Sequence, residues 1–111
     1  MDNIIDLKDL THEKCLLVRE NGEHIFLDFK KEFNEDFEQL DNFMKKHLEC
    51  RLFQVVLSNN SDIEIYIDDC GKINGKSDLN IKATNLFDMS HMPHDKGLYG
   101  NVLFMKKGTI L

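Results

Sequence analysis

At 111 residues the chain fits one domain, 1–111, and its 41% hydrophobic residues, with eight Phe and no Trp, suffice for a single core and argue against a wholly disordered chain. A formal charge of −6, from 20 acidic against 14 basic residues, argues against direct nucleic-acid binding, which needs clustered Lys and Arg, and suits basic protein partners better. Three isolated cysteines, Cys15, Cys50 and Cys70, show no C-x-x-C spacing, so reduced thiols in a cytosolic setting are expected, with no disulfide and no structural metal.

The first residues, Met1 to Asp6, have no basic n-region, and no segment nears the roughly eighteen apolar residues of a membrane span, so a cytoplasmic protein without membrane partners is expected. Residues Met1 to Glu13 mix apolar and acidic positions and leave strand and short helix equally open. Cys15 to Arg19 reads as a strand, Asn21-Gly22 as a type I′ hairpin turn, and His24 to Phe29 as the returning strand.

From Asn34 to Leu48 the positions Phe37, Leu40, Phe43, Met44, His47 and Leu48 recur at three and four residues, the spacing of one helix face. Asn34 is the expected N-cap. Glu35, Asp36 and Glu38 stand at the positive end of the helix dipole, with Lys45 and Lys46 at the negative end. Arg51 to Leu57 is β-branched and aromatic, hence a strand, and Ser58 to Ser61 is turn-forming. In Asp62 to Gly71, Ile63, Ile65 and Ile67 alternate with Glu64, Tyr66 and Asp68, the period of a half-buried strand. We take it as the central strand, its isoleucine face covered by the Asn34–Leu48 helix.

Downstream, Asn80 is the expected N-cap of a short helix presenting Ala83, Leu86 and Phe87 inward. Leu98 to Lys106 is the last strand, with Gly100 marking a bulge or a close backbone approach. The fold class is α+β: an antiparallel sheet of four to six strands with one main helix and one short helix.

Three constellations could carry chemistry. His91, His94 and Asp95 offer nitrogen and oxygen ligands to a metal, but an H-x-x-H across Pro93 in a loop completes no ligand set, so an exposed polar loop is the simpler reading. Asp62, Glu64, Asp68 and Asp69 form a carboxylate-rich edge that could serve acid–base work, although no second catalytic partner is placed against it, or could receive a protein partner at Glu64, Asp68 and Asp69, and turns favour Asp in any case. Asn80, Lys82 and Thr84 stand where a helix start would direct free N–H groups toward a small anionic ligand, although most caps serve only their own backbone. No nucleophile elbow, phosphate-cradling glycine loop or H-E-x-x-H is present, so neither catalytic residues nor a cofactor is assigned.

The second half resembles a family of small uncharacterised proteins from bacteriophages and bacterial mobile elements. Its pattern is a helix, a strand opening after a small residue, an acidic strand ending in Asp-x-x-Gly, then N-P-x-A-T-x-L, then a strand led by Gly-Asn or Gly-Asp. The matching stretches are Cys50 to Leu57, Ile63 to Lys72, Asn80 to Leu86, and Gly100-Asn101-Val102-Leu103-Phe104. The resemblance covers roughly Leu40 to Lys106 and departs at Ile81, where the family has proline, so the helix start is less firmly preset. It implies a mobile-element setting in a bacterial host cell rather than a reaction, and because small acidic phage proteins often act by binding, the leading expectation is a non-enzymatic counter-defence or regulatory binder that sequesters a signalling nucleotide or blocks a host defence protein. A two-fold homodimer could place two Asn80–Thr84 turns around one ligand. The alternatives are a small metal-dependent enzyme and a structural or assembly factor.

Overall fold

The computed structural model describes residues 7–57, 62–68, 79–86 and 97–110. Five antiparallel strands, β1 (Lys14–Val18), β2 (His24–Asp28), β3 (Phe53–Leu57), β4 (Ile63–Asp68) and β5 (Val102–Lys106), form one sheet in the order β2-β1-β5-β4-β3. The helices are α1 (Glu32–Glu35), α2 (Phe37–Leu48) and α3 (Ile81–Leu86), preceded by a 3-10 turn at Leu7–Asp9. The fold is the expected α+β class, with one main helix.

The centre of the sheet is β5, not β4. Val102, Leu103, Phe104 and Met105 are all buried, because β5 pairs with β1 on one side and β4 on the other and both of its faces are covered. The physical sign is a continuous apolar run, which belongs to a strand buried on two faces, whereas alternation belongs to one with a wetter side. Cys15-Leu16-Leu17-Val18 in β1 carries the same sign and is likewise buried throughout.

Cross-strand partners share a face, and the two faces have separate cores. Leu16, Val18, Ile63, Ile65, Val102 and Phe104 lie on one, covered by Leu10, Ala83 and Leu98. Cys15, Leu17, Tyr66, Leu103 and Met105 lie on the other, beneath Met44 and Leu48 of α2. The main helix therefore packs opposite the isoleucines, against the face that also carries Glu64 and Asp68, which corrects the expected packing. Tyr66 is the reason. Its ring is buried among apolar neighbours while its hydroxyl donates to Glu64 Oε1 at 3.2 Å, so a residue read as solvent-facing supplies the helix with an apolar seat.

Local signals also shift. Asp36, not Asn34, caps α2: its Oδ1 accepts from the N–H groups of Glu38 and Gln39 at 3.0 and 3.3 Å, and Gln39 Nε2 donates back to Oδ2 at 3.1 Å. A carboxylate here also meets the positive end of the dipole. Asn34 lies inside α1 and donates to the Thr109 carbonyl at 2.6 Å. Phe29, Phe33 and Phe43 close a triangle of rings 5.1–5.5 Å apart that seats both helices on the end of β2.

The first hairpin is present, but its turn is not type I′. That type needs positive φ at both central residues, and Glu49 alone among the described non-glycine residues has one. Instead Gly22 N–H donates to Arg19 O at 2.9 Å with Gly22 at φ 96°, and Arg19 N–H donates to Glu23 O at 2.7 Å. This is the longer loop in which glycine takes the left-handed place after a turn. Asn21 holds it by accepting from Glu23 N–H at 2.9 Å. The turn expected at Ser58 to Ser61 lies outside the described residues, while the β3–β4 pairing that flanks it is present.

Candidate functional site

Pairing of Val18 with His24 and Val102, and of Phe53 with Asp68, brings one end of every strand to the same end of the sheet. The C-terminus of α2 reaches this end too. Its last turn closes with Cys50 N–H on Lys45 O at 3.2 Å and Glu49 left-handed at φ 53°. That conformation costs a residue with a Cβ about 1–2 kcal/mol and is usually given to Gly or Asn.

Two asparagines fix the approach to β5 from opposite faces. Asn80, fully buried, donates to Val18 O at 2.9 Å and Gly100 O at 2.8 Å, and its Oδ1 accepts from Ala83 N–H at 3.0 Å. It is thus the expected N-cap of α3, and Gly100, at φ 78°, makes the expected close backbone approach. Asn101 donates to His47 O at 3.0 Å and Glu49 Oε2 at 2.9 Å while accepting from Glu20 N–H at 3.2 Å. It ties the hairpin loop to the end of α2.

Beside Asn101 opens a polar cleft of about 500 Å³, lined also by Arg19, Glu20, Asn21, Leu48, Glu49 and Asp68. Three carboxylates thus stand around one guanidinium, which forms no salt bridge among the described residues. In such a cleft the net field attracts cationic groups and repels phosphates.

Of the residues expected to bind an anion, the structure brings Asn80, Lys82 and Thr84 together on α3 but gives each an internal partner. Asn80 is spent as described. Thr84 Oγ1 accepts from Leu98 N–H at 3.0 Å. Lys82 Nζ reaches across the hairpin to Gly22 O at 3.0 Å and His24 Nδ1 at 2.9 Å, so it is a strut of the fold rather than a free cation.

Of the residues expected to receive a protein, Glu64 and Asp68 are four residues apart on β4, about 13 Å along the strand, at opposite ends of the seat of Tyr66. Only Asp68 lines the cleft. Asp69 lies outside the described residues, as do Cys70, His91, His94 and Asp95. Among the described residues no group of three His, Cys, Asp or Glu side chains is arranged to hold a metal, and no helix is long and apolar enough to cross a membrane. Arg19, Glu20, Glu49 and Asn101 were not expected from the sequence. Glu49 had one signal, a glutamate just after the last apolar helix position, where glycine is usual.

Cys15 and Cys50 are free thiols. Burial pushes the Cys15 thiol up to about 12, and burial followed by the nearby Asp68 carboxylate pushes Cys50 up to about 11, so neither is an activated nucleophile.

His47, whose carbonyl accepts from Asn101, has its ring edge-on to Phe43 at 4.6 Å between centroids. Burial, then Lys46 and Arg19, hold it below its ordinary value of 6.5. The unfolded chain therefore takes up a proton before the folded one does. Stability should fall as pH drops below about 6.5 toward the folded value, and His47→Gln should flatten that part of a melting-temperature profile. An unchanged slope in the variant would remove His47 as the cause.

No protein-family profile, curated protein or solved structure matches the chain.

Proposed function

We propose that this is a non-enzymatic binding protein of a bacteriophage or mobile element, acting in the cytoplasm of a bacterial host by blocking a host defence protein through the cleft at the common end of the strands. The observation that carries the reading is the contrast between two sites. The α3 turn holds its amide and hydroxyl groups in bonds within the fold, whereas Glu20, Asp68 and Glu49, the last held by Asn101, line one cleft with Arg19 and give it a net negative charge. A basic surface on the partner would meet these carboxylates, with Arg19 setting register by repelling misplaced cations. The left-handed glutamate supports this, since strained backbone gathers at functional sites.

The test compares wild-type chain with a Glu20→Lys, Glu49→Gln, Asp68→Asn variant, in which two of the three changes keep a hydrogen-bonding side chain of the same shape. Immobilised on beads and exposed to bacterial lysate, the wild type should retain a basic protein in about 0.1 M salt and release it near 0.5 M, where screening shortens the field to a few ångströms. The variant should retain none of it. Equal retention by both chains would refute the cleft as the binding site.

A further inference from the structure

The two outer strands of the sheet are protected differently. An edge strand exposes unpaired N–H and C=O groups, and proteins usually guard it with charge, proline or a covering segment. On β2, His24 and Asp28 stand at the two ends, and Lys82 is laid across the hairpin beside His24. On β3, read Phe-Gln-Val-Val-Leu, there is no charge and no proline, and no described element pairs with its outer side. Val55 is 45% exposed and the preceding Leu52 59% exposed.

We infer that β3 pairs antiparallel with β3 of a second copy of this chain, about a two-fold axis through Val55, making one continuous ten-stranded sheet. The argument for a second copy is self-complementarity. A two-fold at Val55 sets Val55 against its own image, Phe53 against Leu57 of the other copy, and Gln54 against Val56, so no charge meets a like charge. Phe53 and Val55 share the α2 face through their partners Asp68 and Tyr66, and Phe53 packs against the core on that face, so the paired edge would set the exposed Val55 beside a residue already joined to the core. With a strand of five residues the contact is small, and a dissociation constant on the order of micromolar is expected. The inference is independent of the cleft, which lies at the strand ends and stays open in both copies.

Sedimentation equilibrium on the whole chain from about 1 to about 500 µM in about 0.15 M salt reads the mass directly. The wild type should rise from 13.0 kDa toward twice that value. Val55→Lys and Val55→Glu should each remain at the monomer mass at every concentration, with melting curves that match the wild type's when all are diluted well below the dissociation constant, because the position is exposed. Mixed in equal amounts they should dimerise again, because lysine then faces glutamate across the axis. Ile25→Lys, on the β2 edge, should dimerise as the wild type does. A wild type that stays monomeric throughout, a Val55→Lys chain that still dimerises, a mixture that does not recover, or a dimer lost in Ile25→Lys would each overturn the proposal.

Discussion

Phe104→Ala should destabilise the protein by about 3–5 kcal/mol, the range for truncating a large buried aromatic. Phe104 is fully buried at the middle of β5, with Leu16 of β1 and Ile65 of β4 directly opposite on either side and Ala83 and Leu98 in the same cluster. Three elements would have to move to fill the space, and each is held by its own hydrogen bonds. Denaturant midpoints at constant slope measure the change. A loss under about 1 kcal/mol would mean that β5 is not the centre of the sheet.

The second large effect is at Asn80. Asn80→Ala removes three buried hydrogen bonds, to Val18 O, to Gly100 O and from Ala83 N–H, which should cost about 2–4 kcal/mol at about 0.5–1.5 for each, the terms being less than additive. Asn80→Asp is the sharper variant. Aspartate caps helices as well as asparagine does, so a residue that only capped α3 would tolerate it. Here the substitution replaces an amide donating to two carbonyls with an oxygen facing both, and the loss should match that of alanine or exceed it. A near-neutral Asn80→Asp would show that the bridge from α3 to Val18 and Gly100 contributes little.

These two residues also show what the sequence made legible. The strand pairings of the hairpins, the main helix and the cap at Asn80 are local features, set by periodicity within a few residues and by side chains that bond their own backbone, and each is present, although the cap of the main helix moves from Asn34 to Asp36 and the first turn is not type I′. The identity of the central strand is not local. It depends on how many faces of a strand are covered, and the continuous apolar run of β5 carried that information more faithfully than the cleaner alternation of β4. Tyr66 misled for a related reason, because its amphipathic side chain buries a ring and keeps a hydroxyl bonded to Glu64, so alternation with acidic neighbours did not mean exposure.

The cleft was less visible still. Arg19, Glu20, Glu49, Asp68 and Asn101 are separated by up to 82 positions and meet only because the sheet order places β5 between β1 and β4. Asn80, Lys82 and Thr84 stand within five positions and were easy to group, yet proximity in sequence left out the partners that the hairpin and the Leu98 segment supply.

A two-dimensional NMR titration of the whole chain against two probes, an arginine-rich peptide and a cyclic dinucleotide, tests the central claim most directly. The claim is that ligands meet the carboxylate cleft and not the α3 turn. The account predicts that the peptide shifts the amide signals of Arg19, Glu20, Glu49 and Asn101, with the shifts suppressed by added salt, and that the dinucleotide leaves the spectrum unchanged. Saturable shifts at Lys82, Ala83 and Thr84 on adding the dinucleotide, with none from the peptide, would contradict it.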